Sequence, residues 1–68
     1  MKNDTMYIVL DEKQDWIYTI VYDLDEAMDL ARMMNLEESQ FYHHYVVEEC
    51  TREYGESWLD AWKKVIEV

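Results

Sequence analysis

The densest run of chemically capable side chains is His43-His44 followed by Glu48, Glu49 and Cys50. Imidazole, carboxylate and thiolate are all zinc ligands, so a metal site is the first chemistry to weigh. On a strand, neighbouring histidines point to opposite faces and cannot share one ion. On a helix, His44 and Glu48 stand one turn apart, which makes half a site with nothing to complete it. The histidines are therefore expected to be half-exposed members of an aromatic strand. Cys50 is the single cysteine, so no internal disulfide can form. The neighbouring Glu48 and Glu49 disfavour its thiolate, and it reads as a small buried hydrophobe rather than a nucleophile. Carboxylate pairs such as Asp11 with Asp15 are plentiful, but acid–base work needs a carboxyl desolvated in a pocket. A chain of 68 residues encloses little such volume. There is no glycine-rich phosphate loop, no Ser-His-Asp arrangement and no calcium-loop spacing. Neither catalysis nor a metal or other cofactor is expected.

The charge is more informative. Sixteen acidic residues face six basic ones, a formal net charge of −10. A magnitude of roughly 2 to 8 is enough to keep a small domain in solution. Direct binding to nucleic acid is excluded, because a phosphate backbone demands a basic surface. The acids cluster: Asp11, Glu12 and Asp15 lie together, then Asp23, Asp25, Glu26 and Asp29, then Glu37 and Glu38, then Glu48, Glu49, Glu53 and Glu56. Their mutual repulsion costs stability in a small domain. A basic partner surface would benefit from that field. Helix carboxylates at i,i+4, such as Asp25 and Asp29, stand roughly 6 Å apart along the axis. A row of them can occupy sites built for phosphates, which recur about every 3.4 Å along a DNA strand.

Three tryptophans and six tyrosines exceed what so small a core can hold. Trp58 and Trp62 are expected to dock the last helix, with Trp16 packing on it. The surplus falls to the tyrosines, residues enriched at interface cores. Tyr18, Tyr22, Tyr42 and Tyr45 are the aromatic candidates for a binding surface. The acidic candidates are Asp11, Glu12, Asp15, Asp25, Glu26, Asp29, Glu37 and Glu38.

The expected function is that of a small acidic inhibitor or regulator that occupies the nucleic-acid-binding site of a basic, nucleic-acid-handling protein. In general character it resembles the short acidic phage products that disarm restriction, CRISPR or repair enzymes. The alternative is an accessory protein that self-associates, as a homodimer or larger assembly, through aromatic strand faces, its acidity serving solubility only. A signal peptide needs a longer apolar core than the run of about five residues after Thr5, and a membrane span needs about 20. A cytoplasmic location without membrane contact is expected, in the host cell if the protein is phage-encoded.

The elements that must position these residues read as one compact domain over residues 1–68. Thr5 to Leu10 is a first strand, Asp11 to Asp15 a hairpin loop, and Trp16 to Tyr22 a second strand. That second strand is apolar on both faces, with Trp16, Tyr18, Ile20 and Tyr22 on one side and Ile17, Thr19 and Val21 on the other. Asp23 caps a helix whose apolar side carries Leu24, Ala27, Met28, Ala31 and Met34, with Asn35 as its stop. Phe41 to Val47 has the composition of a third strand, although Tyr42, Val46, Cys50 and Tyr54 also recur at helical spacing. Gly55 is expected to break what precedes it. Ser57 opens a last helix over about Glu56 to Glu67, with a stripe of Trp58, Leu59, Trp62, Val65 and Ile66. The fold class is α+β, an antiparallel sheet in the order strand-strand-helix-strand-helix. The alternative is an N-terminal hairpin followed by three helices.

Overall fold

A computed structural model describes residues 4–66. Its elements are β1 (Thr5–Asp11), β2 (Trp16–Val21), α1 (Leu24–Glu37), β3 (Tyr45–Thr51) and α2 (Arg52–Ile66). The sheet is antiparallel with β1 in the centre, in the order β2-β1-β3. The α+β arrangement is the expected one, and a strand rather than a helix occupies the middle segment. The expected helix end at Glu67 lies outside the described residues, as do the side chains of Lys64, Val65 and Ile66.

The double-sided apolarity of the strands follows from the two helices covering opposite faces of the sheet. Along β1, successive side chains alternate between those faces. Val9 packs with Ala27 and Ala31 of α1 and with Tyr45, and Tyr7, Val21, Leu30, Met34 and Val47 gather around them. Met6 and Ile8 face the other way with Ile20, joined by Leu10, Ile17, Cys50, Trp58 and Leu59. Met6, Val9 and Ile20 are almost completely enclosed, each contributing about 1.5–3 kcal/mol of hydrophobic stabilisation. Small residues at positions 27 and 31 let α1 lie close to the sheet.

Simple alternation fails in β2. Val9 pairs with Thr19 but Leu10 pairs with Ile17, so Tyr18 is an extra residue in a bulge. A bulge resets which face each side chain takes. Ile17 thereby joins Ile20 on the α2 side, while Tyr18 meets Tyr45 edge-on, with ring centroids 6.1 Å apart. The expected grouping of Trp16, Tyr18 and Ile20 on one face is corrected accordingly.

The third strand begins at Tyr45 instead of Phe41 and runs through Glu48, Glu49 and Cys50 to Thr51. Residues 41–44 have the right composition, but the amides of Tyr42 and His43 donate to the Ser39 carbonyl and form a turn. Pairing with the central strand sets the range, from Asp11↔Tyr45 to Thr5↔Thr51. Poor strand formers such as Glu48 and Glu49 are accommodated because β3 is an edge with water beside it.

The helix termini follow capping chemistry. The Asp23 side chain accepts the Glu26 amide at 3.0 Å, as expected of an N-cap. Asn35 does not stop α1; the helix continues to Glu37 and closes with the Glu38 amide donating to the Met34 carbonyl. In α2 it is Thr51, not Ser57, whose hydroxyl accepts an amide of the first turn, that of Tyr54 at 3.1 Å.

Gly55 lies inside α2, buried, and breaks nothing. Its φ is not positive, so its role is steric. A Cβ there would stand 2.5 Å from Met6 Sδ and 3.2 Å from Ile20 Cγ2. The helix is thus pressed onto β1 and β2 at the one position without a side chain. Alanine at 55 would gain about 1 kcal/mol of helix propensity, but overpacking a filled site costs about 1–3 kcal/mol. We expect Gly55→Ala to lower the thermal midpoint and Gly55→Val to lower it further; a rise in Tm for Gly55→Ala would refute the close-contact role.

Candidate functional site

Asp11 occupies the end of β1, where the β1–β2 turn and the loop before β3 meet. Its side chain is completely buried, at 0% exposure. Oδ1 accepts the amides of Lys13 (3.1 Å), Gln14 (3.4 Å) and His44 (3.0 Å), and Oδ2 accepts Nδ1–H of His43 at 2.6 Å. Burial is the largest influence on this carboxyl and raises its pKa. The hydrogen bonds from His43 and the three amides together outweigh it and leave the pKa below 3.8. Asp11 is therefore withdrawn from the expected partner-binding patch: it has no surface to offer.

The three residues after Asp11 bind the same loop. Glu12 N–H donates to the His44 carbonyl at 2.9 Å, Lys13 Nζ to that of Gln40 at 2.6 Å, and Gln14 Nε2 to that of Tyr42 at 2.7 Å. The Glu12 carboxylate also accepts from His44 Nδ1. His43 stacks on Tyr45 and presents Nε2 3.4 Å from Glu38 Oε1. The histidines are thus loop residues that carry structure. Among the described residues, no group of three or more His, Cys, Asp or Glu side chains is placed to hold a metal ion. Burial pushes the Cys50 thiol up, away from the reactive thiolate.

This fastening displays side chains. Phe41 and Tyr42, at the tip of the held loop, are 86% and 64% exposed, and Leu36 at the end of α1 is 82% exposed. Tyr42 is the aromatic candidate the loop presents; Phe41 and Leu36 escaped sequence reasoning because isolated apolar residues are assigned to the core by default. Tyr45, by contrast, is buried beneath α1 and leaves the candidate set. Its hydroxyl pKa is raised by burial and by the nearby Glu38 and Asp11 carboxylates. Tyr18 is partly open at the bulge. Tyr22 is exposed but engaged: its hydroxyl donates to Glu56 at 2.9 Å, and the Arg52 guanidinium lies 5.7 Å from its ring centroid. The hydrogen bond to Glu56 raises the Tyr22 pKa, and those from Arg52 and Tyr22 lower that of Glu56.

The remaining acidic candidates divide by position. Asp25, Glu26, Asp29 and Glu37 lie exposed along α1, and the span from 25 to 37 is about 18 Å at the helical rise. Arg32 stands in this row and is paired with Asp29. Glu12 and Asp15 sit in the β1–β2 turn, with Asp15 at a φ of 59°; Glu38 is half-buried against His43. The turn cluster lies at the end of the sheet where α1 terminates, so Glu12, Asp15 and Glu37 share one end of the molecule and Asp25, Glu26 and Asp29 approach the other.

Beside α1, the open side of β3 forms an apolar groove floored by Tyr7, Tyr45 and Val47 and walled by Leu24, Met28 and Leu36. A second groove runs between Trp16, Tyr18, Trp58 and Trp62, where the two last rings stack at 6.2 Å. Trp16 therefore lines an open groove with Trp58 and Trp62 of α2 and stays largely exposed instead of packing tightly on that helix. No described helix is long and apolar enough to cross a membrane. Comparison with protein-family models, curated proteins and solved structures finds no match.

The Asp11 cluster generates a sign-definite prediction. A carboxyl whose folded pKa lies below 3.8 contributes stability that is complete above the unfolded value and is lost as the pH falls through the folded one. We expect Asp11→Asn to destabilise the protein by roughly 2 kcal/mol or more at neutral pH, the scale of a lost charge-assisted hydrogen bond. The gap from wild type should narrow below pH 3.8. Urea unfolding of both proteins along a pH series measures this; a constant gap into acid would disprove the assignment.

Proposed function

We propose that the protein is a binding protein whose target is a basic, nucleic-acid-handling protein, and that it competes there with nucleic acid. The supporting observation is the acidic row on α1, about 18 Å long, in which the one cation, Arg32, is already paired with Asp29. Exposed carboxylates set in a row attract a cationic cleft over long range and accelerate encounter. The displayed Leu36, Phe41 and Tyr42 add apolar contact that salt does not screen. This is the division of labour seen at interfaces in general: charge selects and steers, buried apolar and aromatic groups hold. In character the proposal matches an anti-restriction or anti-CRISPR type of inhibitor.

Self-association is the second reading, favoured by the open groove between Trp16 and the Trp58–Trp62 pair. Against it, two copies each carrying −10 repel.

The test is affinity capture at low and high salt with identification of the bound proteins, followed by titration of the purified target with wild type and with the Asp25→Lys, Asp29→Lys double variant. We expect nucleic-acid-binding proteins, affinity that falls with salt, and weakening by about tenfold or more on charge reversal, the scale of losing close charge pairs. Unchanged affinity and salt slope in the double variant would refute the proposal.

A further inference from the structure

Among the described residues, no strand pairs with the outer edge of β3. The Arg52 amide donates to the Asp4 carbonyl at 2.7 Å, and the Glu12 amide to the His44 carbonyl at 2.9 Å. With the register Thr5↔Thr51 through Asp11↔Tyr45, the even-numbered residues of β3 make the hydrogen-bonded pairs with β1. The backbone N–H and C=O groups of Tyr45, Val47 and Glu49 therefore point away from β1. At Tyr45 both are taken by one side chain: Asn35 Oδ1 accepts the Tyr45 amide at 2.7 Å, and Asn35 Nδ2 donates to the Tyr45 carbonyl at 3.0 Å. The carboxamide thus makes the pair of bonds a neighbouring strand would make, and ends where the groove begins. Val47 and Glu49 follow along that edge, and among the described residues no strand lies beyond it.

The surroundings suit an extended chain. On α1, Leu24, Met28 and Ala31 recur at helical spacing and, with Leu36, line the side of the helix above this edge. Alternate side chains of an added strand would lie under that stripe. Glu48 and Glu49 stand on the groove with Arg32, whose guanidinium is held by Asp29. We propose that the β3 edge is a β-augmentation site for an extended, lysine- or arginine-bearing segment of a protein partner, paired to Val47 and Glu49 with its apolar side chains under α1. The mode of recognition is general: main-chain bonds give affinity and alternate side-chain pockets give specificity. Charge selects the occupant. A second copy paired antiparallel here, with the two-fold axis at Glu48 or at Glu49, would bring that residue against its own equivalent with the neighbouring carboxylates close by, and like charges across strands are destabilising.

This inference rests on the basic-partner reading, and its test separates the two. The labelled protein is titrated, with amide shifts followed by NMR, against a short synthetic peptide alternating lysine and valine. Two twins of that peptide are N-methylated at every second residue, one in each phase, and another peptide alternates serine and valine. We expect the lysine peptide to shift the Val47 and Glu49 amides most. One methylated phase should bind about tenfold or more weakly, as for two lost hydrogen bonds, and the other normally. The serine peptide should bind more weakly than the lysine peptide. Val47→Pro removes an outward-facing amide, a substitution edge strands tolerate, along with part of the Val47 packing on the Val9 cluster; it should abolish binding with circular dichroism unchanged. Equal binding by both methylated twins, or no shift at Val47 and Glu49, overturns strand addition and leaves the acidic reading standing. Equal binding by the serine peptide overturns the basic occupant, as does a dimer in light scattering that Val47→Pro disperses.

Discussion

One buried carboxylate joins the β1–β2 turn to the loop before β3. Asp11 satisfies three backbone amides and an imidazole with its two oxygens, at the point where the central strand ends. A buried charge is tolerable only when it is paired and fully hydrogen-bonded, and here those bonds come from two different segments. Removing any partner would leave the charge under-compensated, so the turn and the loop are held as a unit. The register of β3 then follows from Asp11↔Tyr45, and the loop tip with Phe41 and Tyr42 is presented outward. Glu12, Lys13 and Gln14 reinforce the same attachment. The residues that display the surface are thus distinct from those that form it.

The layering decides which surfaces stay open. With a helix on each face, most of the sheet is covered, and what stays accessible is the edges, the grooves beside α1 and α2, the outer sides of the helices and the loop tip. The outer side of α1 carries carboxylates; the side toward β3 carries Leu24, Met28 and Leu36. Charge and apolar contact therefore lie on adjoining sides of a single helix. Net repulsion among sixteen acids opposes folding, and the two apolar clusters around Val9 and Met6 must offset it. Close approach at Ala27, Ala31 and Gly55 makes those clusters dense.

The element order was legible because β-branched and aromatic runs at Thr5 to Leu10 and Trp16 to Val21 are strong strand signals and Asp23 is a strong cap. Boundaries that depend on partners were not. Nothing local in Glu48, Glu49 and Cys50 announces a strand; it exists because β1 offers them a ladder. Gly55 reads as a breaker until the Met6 side chain beside it is known. The bulge at Tyr18 reverses a face assignment that simple alternation makes with apparent clarity. In the candidate site, exposure on α1 could be read from helical spacing, so Asp25, Glu26 and Asp29 stand where expected, whereas Glu37, expected beyond a stop at Asn35, is the last residue of the helix. Asp11 and Tyr45 could not be read in this way. An acid among acids looks solvated, and only the convergence of His43, His44 and the turn amides draws this one inside.

Competition tests the central claim most directly. A captured basic target is loaded with a fluorescent duplex and titrated with this protein while anisotropy is followed. If the acidic face of α1 takes the place of phosphates, the duplex is released stoichiometrically and its release is suppressed by the same salt that weakens the protein's own binding. A stable ternary complex, with the duplex retained while the protein is bound, would contradict the account.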